Sequence, residues 1–140
     1  MKKSIIYLIS MLFLCGCKAT GTDNIKNNAI TIINEVEDAD IWILPKTEEN
    51  LKTTVWGKAT VSEVKINETR KAPLCEAGEN GLYIIRLIDS NKIFYSADDV
   101  VLKSGWTVRI TGDDLQSVKL EVVDESGVLK NTYDVFAASL

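Results

Sequence analysis

From Ala29 to the end, the chain repeats one pattern: apolar and polar residues alternate in short runs rich in Val, Ile and Thr, broken by Asn, Asp, Gly and Ser. A side-chain period of two sends successive residues to opposite faces of a pleated strand, and β-branched residues suit that surface. The runs "AITIINEV", "DADIWILP", "TTVWGKATVSEVKI", "LYIIRLID", "KIFYSA", "WTVRITG", "SVKLEVVD" and "VLKNTYDVFAAS" read as strands. No segment reads as a convincing helix, although "PKTEENLKT" has room for a single turn. Short strands at regular spacing with turn residues between them predict an all-β domain, an antiparallel sandwich of about eight strands over residues 29–140.

The pattern also sets local expectations. The acidic turn in "EVEDAD" predicts that the first two strands form a hairpin. "LYIIRLID" is apolar on both faces and reads as a central strand, and the short "SN" link joins it to "KIFYSA" as a second hairpin. Trp106, Val108 and Ile110 share one face of their strand, as do Val118, Leu120 and Val122 of the next, and both sets are expected in the core. "NETRKAPLCEAGENG", residues 67–81, reads as a long irregular loop, a kind of segment that often carries function.

The first 28 residues are of another kind. "MKK" is a short basic start, and the eleven residues of "SIIYLISMLFL" form an apolar run too short to span a bilayer but suited to a secretory signal. The run ends on Leu14, and Cys15, Gly16 and Cys17 follow at once, so that Leu14 to Cys17 read "LCGC". This resembles the lipobox of bacterial lipoproteins. The resemblance implies that residues 1–16 are a signal peptide, that Cys17 is the lipidated residue, and that residues 17–28 are a lipid-bearing cysteine and a flexible linker. It also implies a cell-envelope address, with Lys18 favouring the outer membrane in a Gram-negative cell. Each buried methylene contributes about 0.8 kcal/mol, so two or three acyl chains hold a protein at a membrane where one does not. The strand pattern of the remainder looks like small envelope β-sandwiches of transthyretin-like or C2-like type, which supports the fold class and carries no residue across.

Loss of the leader removes Lys2 and Lys3 and no acid, leaving 124 residues with 14 basic and 20 acidic side chains, a net charge of −6. That balance disfavours nucleic acid, whose phosphates need clustered Lys and Arg. Cys75 would be the one unmodified cysteine, so the core must hold without an intramolecular disulfide; it is expected to be a small apolar residue.

The chain has no histidine, which excludes Ser-His-Asp and Cys-His catalysis and histidine metal sites. "GENG" lacks the strand, helix and lysine of a phosphate loop. Asp98 and Asp99 before one strand, with Asp113 and Asp114 after another, offer oxygens for calcium if the loops converge, and solvated turns if they do not. Paired carboxylates for glycoside hydrolysis would need a deep cleft that so short a chain barely accommodates. Trp42 and Trp56 are candidate binding aromatics. Trp42 should face away from the core if Ile41 and Ile43 face into it, whereas Trp56, beside Gly57, is ambiguous. Arg86 lies inside an apolar strand and, if buried, calls for a carboxylate, with Glu121 and Asp89 in reach of the guess.

These readings converge on a non-catalytic, lipid-anchored envelope module without a cofactor that binds another envelope protein or a surface polymer. Two alternatives stand beside it: an immunity or hydrolase-inhibitor protein whose acidity steers it to a basic target, and a calcium-dependent binding module.

Overall fold

The computed structural model describes residues 28–112 and 117–138; the segment read as signal peptide and all of the linker but Asn28, with Cys17, lie outside the described residues, as do Asp113 and Asp114. The described chain is a sandwich of two five-stranded sheets. The strands are β1 (Ala29–Asn34), β2 (Ala39–Pro45), β3 (Val61–Val64), β4 (Glu68–Pro73), β5 (Tyr83–Asp89), β6 (Phe94–Val100), β7 (Thr107–Thr111), β8 (Lys119–Val123), β9 (Leu129–Asp134) and β10 (Phe136–Ala138). The first sheet has the order β4-β1-β7-β8-β9 and the second β10-β6-β5-β2-β3. All pairings are antiparallel except β1 with β7, which run parallel from Thr31 opposite Thr107 to Asn34 opposite Ile110.

Alternation builds the core as the sequence predicts. Ile30 and Ile32 of β1, Val108 and Ile110 of β7, and Leu120 and Val122 of β8 point inward from the first sheet. Ile41 and Ile43 of β2, Ile85 and Leu87 of β5, and Tyr95 and Ala97 of β6 meet them from the second. Val118 is buried, and Trp106 packs half-buried against this core. β5 is the middle strand of its sheet and pairs with β6 in the expected hairpin.

Four expectations are corrected. "TTVWGKATVSEVKI" is strand only over Val61–Val64, and "VLKNTYDVFAAS" divides into β9 and β10, which belong to different sheets. β1 and β2 do not pair: β1 lies between β4 and β7, and β2 between β5 and β3. The four residues between them carry the chain from one sheet to the other, so both strands turn their isoleucines into the same core from opposite sides. The 67–81 segment is not wholly irregular. Its first part is β4, an edge strand whose burial pattern is nearly all exposed or half-exposed, with only Ala72 fully inside. The remainder, Leu74–Leu82, is loop with one 3-10 turn at Glu79–Gly81.

Both sides of the sandwich are turned by strands that change sheet. β3 runs into β4 through Lys65–Asn67, and β9 into β10 through the buried Val135. Asn34, 1% exposed, fastens the first corner. Its side-chain amide donates to the Glu37 carbonyl at 2.6 Å and the Val64 carbonyl at 3.0 Å, tying the end of β1 to the end of β3 across the two sheets. Asp38 supports the same corner by accepting from the Ile66 backbone at 2.8 Å and from Lys65 at 3.1 Å.

Candidate functional site

The long polar stretch between β2 and β3 has little apolar mass to bury, and it does not join the core. Residues 46–60 lie instead on the outer face of the second sheet. Thr47 caps the short helix α1 (Glu48–Lys52), its side chain accepting from Asn50 N at 3.0 Å, and the helix buries no residue. The Asn50 side chain donates back to the Pro45 carbonyl at 2.9 Å, and the Thr60 hydroxyl accepts from Ile43 N at 2.9 Å where the segment rejoins the sheet. Lys46, at its start, is paired with Asp99 of β6, which holds the ammonium above its usual range.

Beneath this segment is a compact group of large side chains. β2, β5 and β6 place Trp42, Arg86 and Ser96 in one row across the sheet. Phe94 stands on the same face, one row along and opposite Ile88. Trp56 comes down from the covering segment between them. Its ring stacks on Phe94 at 4.8 Å between centroids and 26° between planes, and meets Trp42 edge-on at 5.5 Å and 69°. The guanidinium of Arg86 lies 5.0 Å from the Trp56 ring centre and 5.6 Å from that of Phe94. Both indoles are anchored: Trp42 Nε1 donates to the Gly57 carbonyl at 3.2 Å, and Trp56 Nε1 to the Thr53 carbonyl at 2.8 Å.

Arg86 is the unusual member. It is 7% exposed, and among the described residues no carboxylate pairs with it. Neither Glu121 nor Asp89 serves: Glu121 is in the other sheet beside Arg109, and Asp89 points into the core. Arg86 makes one long hydrogen bond, from Nη2 to the Asn50 carbonyl at 3.4 Å, while its buried Nε donates to no described acceptor. Burial pulls its pKa down, opposed more weakly by the charge of Asp98. The aromatic rings compensate in part, because a desolvated cation over an aromatic face gains about 2 kcal/mol.

Trp42 thus faces away from the core, as the alternation predicts, but Trp56 and the covering segment enclose it to 8% exposure. Trp56 itself is half-buried, with one face taken by Phe94. The exposed apolar side chains of this region are Leu51 and Val55, the latter 81% exposed at the crest of the segment.

Of the two acidic pairs, only Asp98 and Asp99 fall among the described residues. Val100 lies opposite Tyr83, which lies opposite Pro45, so β6 ends where β2 ends. β7 starts near that end and finishes at the other, so Thr111 and Gly112 lie at the far end of the sandwich from Asp99. Asp98 accepts from Ser96 at 3.1 Å, and Asp99, in a left-handed backbone conformation at φ 62°, is paired with Lys46. No group of three or more Cys, Asp or Glu with metal-binding geometry occurs among the described residues. Cys75 is half-buried against the core, its Sγ 3.8 Å from the Ile43 carbonyl.

At that far end, Asp89 is 4% exposed and fully engaged. It accepts from Asn91 N and Ile93 N at 2.9 Å each and from the Tyr95 hydroxyl at 3.2 Å, closing the β5–β6 turn. Burial, together with the Asp89 charge, pushes the Tyr95 phenol up to about 12. A cavity of about 20 Å3 between Asn34, Ala39, Asp89 and Ile110 has room for one water and no ligand.

No protein-family model, curated protein or solved structure matches this chain.

The outer face of the second sheet is therefore judged on its own chemistry. Aromatic rings and a buried arginine, roofed by a segment with exposed Leu51 and Val55, are the residue types that dominate protein recognition. Sequence reasoning picked out both tryptophans and Arg86 but missed Phe94 and the roofing role of residues 46–60. The signal for the roof is compositional: a polar, helix-capable insert between two strands of one sheet.

Proposed function

We propose that the protein is a lipid-anchored module of a bacterial cell envelope that binds another envelope protein and catalyses nothing. The tether rests on the order of basic start, apolar run and Leu14–Cys17 box, with Cys17 as the acylated residue. The binding role rests on one observation: the Trp42–Trp56–Phe94–Arg86 cluster beneath a segment that exposes Val55 and Leu51. The sandwich core is made almost wholly of aliphatic side chains, and the absence of histidine removes the commonest general base. A protein partner suits the cluster better than a surface polymer. Sugar stacking needs a free aromatic face, and the Trp56–Phe94 stack uses those faces internally.

Two experiments test this reading. Mass spectrometry of the native protein is expected to find a chain that begins at an acylated Cys17, and Cys17→Ala is expected to move it out of the membrane fraction. A full-length, unacylated chain in the soluble cell interior overturns the tether. Affinity capture from native envelopes separates a resident assembly from a hydrolase as the partner. Recovery of a hydrolase favours the inhibitor alternative.

A further inference from the structure

A guanidinium presents five N–H donors in a planar fork. Arg86 as a residue is more than nine-tenths buried, its Nε is buried and donates to nothing described, and among the described residues the fork has one acceptor, the Asn50 carbonyl at a marginal 3.4 Å. Buried arginines ordinarily face a carboxylate, and breaking such a pair is costly because one charge is left uncompensated. Here the side chain is held by aromatic rings on one side and meets on the other α1, a helix none of whose own residues is buried. The cover is fixed to the sheet by the Thr60–Ile43, Asn50–Pro45 and Trp42–Gly57 hydrogen bonds, the Lys46–Asp99 pair and the wedge of Trp56, and at its root by backbone bonds of Lys46 with Leu82 and Glu79. At its crest, Gly57 has φ 66° and open space around it.

We propose that Arg86 is a recognition residue for a side-chain carboxylate of a partner protein, reached when residues 46–60 lift from the outer face of the second sheet. The assignment rests on the protein-binding reading given above. A carboxylate matches the fork with two parallel hydrogen bonds and completes Nε. A singly charged group on an apolar stem suits the aromatic surroundings. Polyanions are opposed by Asp98 and Asp99 of β6 and by Glu48 and Glu49 of α1, which edge the same face. Leu51 and Val55 then give the partner apolar contact around the charged centre.

The test uses the native protein and three probes: acetyl-glutamate methylamide, its glutamine counterpart and inorganic phosphate. Tryptophan emission and the Arg86 1H–15Nε resonance are followed together. The glutamate probe is expected to shift both with one binding constant, and the glutamine probe to bind about tenfold more weakly or worse, as a neutral acceptor should. Arg86→Met is expected to abolish the response. Because that variant can fail to fold, the wild-type Nε resonance decides independently: a resonance unmoved by the glutamate probe overturns the proposal. Equal binding of glutamate and glutamine probes overturns it as well, and so does tighter binding of phosphate, which would mark a site for small inorganic anions. A partner that crosslinks through position 55 while the Arg86 resonance stays still removes the Arg86 assignment alone. Failure to find any partner removes the binding role with it.

Discussion

The guanidinium of Arg86 lies over the ring of Trp56, 5.0 Å from its centre, although the residue opposite Arg86 in the sheet is Trp42. The second indole thus comes from a covering segment and makes the outer face of the second sheet a small core of its own. Trp56→Ala is expected to remove the Phe94 stack, the Trp42 edge contact and the cation–π contact together. A loss of about 2–4 kcal/mol follows from truncating so large a side chain. Urea unfolding measures it, and limited proteolysis should cut first within residues 46–60.

Gly78 comes close to the root of that segment. Its N–H donates to the Leu82 carbonyl, which also accepts from Lys46 N. A Cβ at Gly78 would stand 2.0 Å from the Lys46 carbonyl oxygen and 2.3 Å from its nitrogen. Backbone cannot yield as a side-chain tip does, so Gly78→Ala is expected to destabilise by about 1–3 kcal/mol, the usual range for overpacking. A denaturation midpoint equal to wild type would show that the contact is relaxed in solution.

Asn34 joins the two sheets at one corner through the carbonyls of Glu37 and Val64. Asn34→Ala deprives both carbonyls of their donor and is expected to cost about 1–3 kcal/mol. Hydrogen exchange should accelerate first in β3 and the β3–β4 turn, because those amides depend on the corner.

The alkaline limit of stability follows from Tyr95. Its phenol ionises near 12 in the fold against an ordinary value of 10.0. A raised folded pKa means that the stabilisation is complete below pH 10 and is lost as pH rises from there towards 12, since only the unfolded chain then releases the proton. Tyr95→Phe is expected to flatten this fall, monitored by thermal unfolding at several alkaline pH values.

Much of this architecture is legible in the alternation of the chain. β1, β7 and β8 each bury one face, so their period of two is plain, whereas β5 is apolar on both faces, with Ile84 sharing the outer one with Arg86. β4 escapes notice because an edge strand needs only Ala72 inside, and "ETRKAP" otherwise looks like a loop. The pairing of β1 is hidden for a different reason. A short acidic link fits a hairpin and a sheet-to-sheet crossing equally well, and only the shared core decides between them. The partner of Arg86 is misjudged because the rule that a buried charge seeks a carboxylate takes no account of two aromatic rings brought from distant parts of the chain.

The role of the outer face is tested most directly by a photo-reactive amino acid placed at Val55, 81% exposed on the covering segment, and in parallel at Val128, 54% exposed by the β8–β9 turn of the other sheet. Irradiation of intact envelopes is expected to give a discrete protein adduct from position 55 and none from position 128. No adduct from position 55, or the same adduct from both, would contradict the account.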